Sequence, residues 1–458
     1  MEEKSMFKKF TNGCVNLVQR FLPDAFIFCI ILTVLVFIAA IPVTGMNPIE
    51  IASAWGTGIW SLLAFSMQMA LVLVLGTAFA NAPSIKKLIA KLAGIPKKPA
   101  SAIIFVTAVS MVCCWLNWGF GLVVGAILAK EVAKKVAKVD YRLLIASAYS
   151  GFVVWHAGVS GSIPLQIASW NETILAQTGG AVTESIPTSQ TIFSAWNLIV
   201  VVLIVVVVAL VNAAMHPEEK DVVSIDPKLL VDEEVAEAKK ASTPAEKLEN
   251  SVILSAIVAI LGIAYLVYYF VTKGFNLSLD IVNLIFLVLG VIFHKTPISY
   301  VNAITDAAKG AGGIILQFPF YAGIMGIMTA KGAAGVSLAS AISNVFVNIS
   351  NKVTFPLFSF WAAGIVNFFV PSGGGQWAVQ APIMMPAGKD LGVNPAVTAM
   401  AIAWGDAWTN MLQPFWALPA LGIAGLGARD IMGYCAIVLI VTGIIIGIGF
   451  LVLVPLLA

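Results

Sequence analysis

Charge is what this chain has least of. Only 11% of its 458 residues are Asp, Glu, Lys or Arg and three are His, against 60% hydrophobic side chains and a mean hydropathy of +0.96. That balance excludes an ordinary soluble domain. The formal net charge is only +3 and no basic block is present, so nothing offers a footprint for nucleic acid. Cysteine is scarce as well. Cys14, Cys29, Cys113, Cys114 and Cys435 are odd in number and lack paired metal spacing, so neither a disulfide framework nor a zinc site is expected. No His/Cys/Asp cluster with metal spacing and no nucleophile–base pair stands out, which tells against a membrane-embedded enzyme.

In place of charge there is apolar sequence cut to bilayer length, about 20 residues per crossing. It recurs at Ala25 to Val43, Trp60 to Ala80, Ile199 to Val211, Val252 to Val271, Ile281 to Phe293 and Ile431 to Val454. Leu198 to Val211 is apolar on every side, unlike one face of a soluble helix. Met1 to Lys9 and the apolar run after it imitate a signal peptide. The stretch is long, however, and Ile38-Ala-Ala-Ile-Pro42 is a poor cleavage site, so it reads as a retained first span.

Cytoplasmic loops collect Lys and Arg. The basic clusters are Lys4, Lys8 and Lys9; Lys86, Lys87, Lys91, Lys97 and Lys98; and Lys130, Lys134, Lys135, Lys138 and Arg142, and all three are placed inside. Ser169 to Trp196 carries Glu172 and Glu184 without Lys or Arg and is placed outside. The apolar segment from Ala100 to Lys130 must then enter and return on the same side. It is too short for two crossings at 1.5 Å per residue, so a re-entrant hairpin is expected with its tip near Trp115-Leu-Asn-Trp-Gly-Phe-Gly121.

The second half repeats this punctuation. Gly119, Gly121 and Gly151 recur as Gly373, Gly375 and Gly405, and Lys135 and Val139 as Lys389 and Val393, each displaced by 254 positions; Pro48 and Gln68 recur as Pro297 and Gln317, displaced by 249. Counting crossings gives the halves opposite orientation, the inverted-repeat plan of many secondary transporters. The expectation is an all-α polytopic membrane protein of about nine transmembrane helices plus two re-entrant hairpins, with broken helices at the midplane. Residues 1–215 form the first repeat, with its hairpin near 101–130, and 216–250 a charged cytoplasmic linker. Residues 251–275 form a linking helix and 276–458 the second repeat, with its hairpin near 355–388. Ile85 to Leu92 and Ser337 to Val347 read as interfacial amphipathic helices.

In such folds the ligand site lies where discontinuous helices expose their ends. Four segments qualify: Asn117-Trp-Gly-Phe-Gly121, Pro371-Ser-Gly-Gly-Gly-Gln-Trp377, Trp155-His-Ala-Gly-Val-Ser-Gly-Ser-Ile-Pro-Leu-Gln166 and Trp404-Gly-Asp-Ala-Trp-Thr-Asn-Met-Leu-Gln-Pro414. The expected substrate contacts are Asn117, Trp118 and Gly119 at one tip and Ser372, Gly373, Gly374, Gly375 and Gln376 at the other. Ser160, Ser162, Thr409 and Asn410 join them from the breaks. Glycines let backbone N–H groups converge on a carboxylate at a helix N-terminus, although the same glycines also serve tight helix packing. No Lys or Arg falls in any of the four segments, which suits a single carboxylate better than a di- or tricarboxylate. Trp115, Trp118, Trp155, Trp377, Trp404, Trp408 and Trp416 crowd these segments, as pocket walls or as packing. Asp406, an intramembrane carboxylate, and His156 are the candidates for coupling to Na⁺ or H⁺. Asn117, Ser160, Ser372, Asp406 and Thr409 supply oxygens for a candidate Na⁺ site; no other cofactor is expected.

The chain resembles the AtoE-type short-chain fatty acid transporters of the ion transporter superfamily, essentially end to end. The resemblance is carried by Phe7-Lys-Lys-Phe10 with Phe21-Leu-Pro-Asp24, Cys114-Trp-Leu-Asn-Trp-Gly-Phe-Gly121, Trp155-His-Ala-Gly-Val-Ser-Gly-Ser162, Pro371-Ser-Gly-Gly-Gly-Gln-Trp377 and Gly405-Asp-Ala-Trp-Thr-Asn410. It implies uptake of short-chain monocarboxylates such as butyrate or acetoacetate across a bacterial inner membrane. By analogy with the superfamily it also implies a homodimer with an elevator-type transport domain. Better-known superfamily members carry Ser-Asn-Thr at the tips, whereas this chain has Leu116-Asn117-Trp118 and Pro371-Ser372-Gly373. Only Asn117 and Ser372 carry over, and coupling ion and substrate geometry stay open. A C4-dicarboxylate or amino-acid carrier of the same superfamily is the alternative within the class; a channel fits broken helices less well.

Overall fold

The computed structural model describes residues 2–21, 25–61, 63–169, 171–226, 243–274, 279–371 and 373–458, and among these there is no strand. Ser372, one of the expected tip residues, and residues 227–242 of the linker expected at 216–250 lie outside the described residues.

The first half runs α1 (Glu2–Phe21), α2 (Ala25–Thr44), α3 (Pro48–Gly58), α4 (Leu63–Ala80), α5 (Pro83–Leu92), α6 (Pro99–Leu116), α7 (Trp118–Lys135) and α8 (Tyr141–Tyr149). A 3-10 stretch, Ser150–Ala157, then leads to α9 (Ser162–Ala168), α10 (Glu172–Gln177) and α11 (Ala195–Ala214). After α12 (Pro244–Glu249) and α13 (Val252–Lys273) come α14 (Leu279–His294), α15 (Pro297–Ala308), α16 (Gly312–Thr329), α17 (Leu338–Asn348), α18 (Phe355–Phe369) and α19 (Gly373–Asp390). Next is α20 (Pro395–Thr409), which ends in a 3-10 turn at Asn410–Leu412, followed by α21 (Pro414–Ala424), α22 (Ala428–Ile448) and α23 (Val454–Leu457).

Many boundaries follow from backbone chemistry. Pro48, Pro83, Pro99, Pro297, Pro395 and Pro414 each stand in the first turn of a helix, where the missing N–H is no loss. Asn117 is extended (φ −154°, ψ 120°), which stops α6, while its side chain accepts from Phe120 N–H and starts α7. The two arms of that hairpin cross tightly because small residues face each other. A Cβ on Gly121 would run into the Cys114 backbone, and one on Gly125 would meet Ser110 Oγ at 2.6 Å.

Among the described residues five helical stretches are long and apolar enough to cross a bilayer on their own: Pro99–Leu116, Tyr141–Ala168, Ala195–Ala214, Pro244–Lys273 and Ala428–Leu457. Two bent pairs meet the same test together, Ser66–Ala80 with Pro83–Leu92 (82°) and Pro297–Ala311 with Ile315–Thr329 (46°). Cys29–Thr44, Asp280–His294 and Phe355–Phe369 are shorter apolar helices. Several elements have no counterpart among the expected ones: α1 ahead of the first span, α3 and α15 ahead of α4 and α16, and the short α10 and α12 within the expected loop and linker.

The helices α2–α9 recur in order as α14–α21. Packing exchanges partners between the halves: α2 lies on α16 and α4 on α14, while α3 lies on α16 and α15 on α4. That swap is what two repeats related by a twofold axis produce. The 3-10 stretch of the first broken helix is wholly buried, and so is all of α20 except Pro395 and Trp408. At the periphery α13 buries little more than Ser255 and Ala259, leaving residues such as Ile253 and Val271 for lipid.

Candidate functional site

The loop Gly158–Gly161 that follows the first broken helix is held between the two hairpin tips. On the inner side Val159 N–H donates to Trp115 O (2.8 Å) and Trp118 N–H to Ser160 Oγ (3.1 Å). On the outer side Gly373 opens α19 directly against Ser162 Oγ and the His156 ring, so close that a Cβ would collide with both. Each tip thus packs on the broken helix of the opposite hairpin's partner set: α19 on α9, and α7 on α21.

His156 and Asp406 join the halves. Both are fully buried, and His156 Nδ1 lies 2.6 Å from Asp406 Oδ2. His156 Nε2 accepts from Ile163 N–H (3.1 Å) and faces Ser162 Oγ at 3.0 Å. An N–H cannot point at another N–H, so the ring proton belongs on Nδ1 and is donated to Asp406. Trp155 stacks on the ring at 4.0 Å. Asp406 Oδ1 is buried and has no hydrogen-bond partner among the described residues.

A second polar group surrounds the break in α20. Asn367 Nδ2 lies 2.8 Å from Asp406 O, 2.9 Å from Thr409 Oγ1 and 2.8 Å from Asn410 Oδ1. Three acceptors converge on an amide that has two hydrogens, while Asn367 Oδ1 and Asn410 Nδ2 stay buried without partners among the described residues. Tyr149 OH donates to Asn410 O (2.6 Å), and Gln413 Nε2 to Phe368 O (2.7 Å). Gln413 is extended before Pro414, which ends the helix and, having no N–H, leaves Asn410 O to Tyr149 and the 3-10 turn.

The expected site residues therefore fall into two neighbouring groups. Asn117, Trp118, Gly119 and Ser160 gather at the inner tip, where Gly119 has no room for a Cβ beside Val72. Ser162, Gly373, His156 and Asp406 gather at the outer one, and Thr409 and Asn410 continue from Asp406. Gly374 is exposed, with only Gln166 Nε2 near its Cβ position. Gly375 follows in the same turn. Gln376, expected as a donor at the tip, instead gives its amide hydrogens to Ala363 O (2.7 Å) and Gln380 Oε1 (2.8 Å). The oxygens expected to share one Na⁺ lie in separate groups, Asn117 and Ser160 in one and Asp406 and Thr409 in the other. Of the tryptophans, Trp118, Trp155 and Trp416 form a cluster with Phe152. Trp377, Trp404 and Trp408 have structural partners in Gln177, Asn197 and Leu439 O. Gly405 lies within α20, pressed against Phe360 O.

Apolar helices, two hairpins and two interrupted helices around a fully buried His–Asp pair define a polytopic helical membrane protein. The profile of the short chain fatty acid transporter family matches residues 6–453. An Escherichia coli (strain K12) protein named as a short-chain fatty acid transporter is 46% identical over 446 residues, covering 97% of this chain and 99% of that one. A Haemophilus influenzae protein of the same name is 43% identical over 452 residues, covering 97% and 100%. Among solved structures, the Alcanivorax borkumensis YdaH transporter is similar at a TM-score of 0.44 and 16% identity, over 95% of this chain and 98% of that one. The chain belongs to the short-chain fatty acid transporter family.

Proposed function

We propose that the chain is a cation-coupled symporter for short-chain monocarboxylates such as butyrate or acetoacetate. It works by elevator-type alternating access of inverted repeats, as a homodimer in the bacterial inner membrane. The substrate class is supported by the names of the two bacterial relatives and by a site whose four segments contain no Lys or Arg. A lone carboxylate sits at the N-terminus of α19, against Gly373 and Gly374, with Ser162 beside it. A helix N-terminus contributes about 0.3–2 kcal/mol to such an anion.

One observation carries the coupling: three oxygens crowd the Asn367 amide nitrogen while its own oxygen is buried without a partner among the described residues. Turning that amide over adds Oδ1 to Asp406 O, Thr409 Oγ1 and Asn410 Oδ1. Four oxygens beside a carboxylate then suit Na⁺, a hard cation. A second reading, a proton shared by His156 and Asp406, is favoured by their 2.6 Å contact.

Proteoliposome uptake of labelled butyrate under separately imposed Na⁺ and pH gradients tests both. Accumulation driven by Na⁺ alone supports the first reading, and by the pH gradient alone the second. No accumulation under either gradient sinks the symporter, and uptake of succinate in place of butyrate points to the dicarboxylate alternative.

A further inference from the structure

A buried ladder of carboxamides leaves the outer tip and ends on the lateral helix α17. Gln376, in the first turn or so of α19, is fully buried; its Nε2 donates to Ala363 O of α18 (2.7 Å) and to Gln380 Oε1 one turn further on (2.8 Å). Gln380, equally buried, donates from Nε2 to Ser343 Oγ of α17 (3.2 Å), and Ser343 is buried too. Both amide orientations are set by these bonds, and the Gln376 oxygen is left buried without a partner among the described residues. A hydrogen-bonded chain of this kind is costly to leave incomplete in an apolar interior.

Packing a hairpin on a lateral helix does not require it. In the first half the positions equivalent to Gln376 and Gln380, displaced by 254, are Leu122 and Ala126, and α7 still packs on α5. The polar ladder is thus a property of the outer hairpin alone. It begins within one turn of Gly373 and Gly374, where the carboxylate seat is read, and α17 also touches α2 and α16 on its other side.

We propose that Gln380 and Ser343 are positioning residues that hold the outer tip in its substrate-ready place by tying Gln376 to α17. The proposal rests on the reading of that tip as the carboxylate seat. When α17 shifts against the hairpin, the ladder parts and the first turn of α19 loses its anchor. The tip is thereby set by the lateral helix as well as by the ligand.

The test compares Ser343→Thr, which keeps the hydroxyl, with Ser343→Val, which has the shape of threonine without it. The first readout is thiol labelling of Gly374→Cys in a background with Cys14 and Cys113 replaced by alanine, and it does not depend on which substrate is carried. The Ser343→Val change is expected to raise the labelling rate about ten-fold over Ser343→Thr, the equivalent of about 1.4 kcal/mol. The second readout is uptake kinetics without the introduced cysteine. There Ser343→Val is expected to raise KM for butyrate by a similar factor with maximal rate little changed, and Ser343→Thr to leave both near the parent values. Equal labelling in the two variants overturns the ladder. A labelling difference in a protein whose parent takes up no monocarboxylate upholds the ladder and removes the substrate reading instead.

Discussion

At the scale of single residues the decisive feature is how little ionisable chemistry the centre contains. Asp406 is fully buried, and the only titratable side chain bonded to it among the described residues is His156. Asp406→Asn keeps an oxygen for the His156 Nδ1–H and removes the charge. Folding should survive that change, with thermal unfolding in detergent near the parent, while gradient-driven uptake falls by at least ~100-fold, as expected for an intramembrane carboxylate placed for function. Asp406→Leu takes away the acceptor as well and should cost about 1–3 kcal/mol of stability. Normal coupled uptake in Asp406→Asn would remove the residue from the mechanism. The tip glycines give a second contrast at this scale. A Cβ at position 373 collides with Ser162 and His156, whereas at 374 it meets only Gln166 Nε2 at 3.7 Å. Gly373→Ala should therefore abolish uptake, while Gly374→Ala should reach the membrane folded and change mainly KM. Equal loss in both, with both folded, would mean that the tip packs differently from this.

Among elements, the first broken helix is tied down at its start by a strap from the segment after α11. Asp140, fully buried, caps α8 through Leu143 N–H (2.9 Å) and also accepts from Val223 N–H (2.9 Å), while Tyr141 N–H returns to Val223 O (2.8 Å). His216 Nε2 accepts from Asp140 N–H (3.2 Å), and Lys138 pairs with Glu219 (3.0 Å). The exposed Lys138 pair contributes little; the carboxylate carries the joint. Asp140→Ala should lose about 0.5–2 kcal/mol from the cap and free the strap, read as faster tryptic cleavage at Lys220. An unchanged cleavage rate would show that the strap is held elsewhere.

The hairpins and breaks were legible in the sequence because their causes are local: Asn117 before Trp118, the glycine run after Pro371, Pro414 after Gln413. Asn367 was not. A single carboxamide in the apolar arm Phe355–Phe369 reads like any lipid-facing helix, and its partners lie 39 to 43 residues away. The helices α3 and α15 were hidden for another reason. Each is only about three turns long, 11 and 12 residues, too short for a clear apolar stripe. Gln376 was assigned to the tip by its place in the run, but the direction of its side chain depends on Gln380 and Ala363, which no local pattern reveals.

For the whole molecule, the exchange of partners between α2, α4, α14 and α16 speaks for two halves related by a twofold axis, and the charge pattern decides how that axis lies. If it lies in the membrane plane, equivalent elements face opposite sides. The lateral helices are the sharpest case. Lys86, Lys87 and Lys91 make α5 basic, whereas α17 carries no charged residue at all. By the bias of cytoplasmic surfaces toward Lys and Arg, α5 is expected inside and α17 outside. Lys87 and Asn348 are both exposed, so cysteines placed there report each side without disturbing the core. Applied to intact cells, a membrane-impermeant thiol reagent should label Asn348→Cys and spare Lys87→Cys; applied to inverted vesicles, it should do the reverse. Labelling of both from the same side would make the repeats parallel. The two hairpin tips would then approach the His156–Asp406 pair from one face, and alternating access would need a rearrangement other than the exchange of equivalent halves.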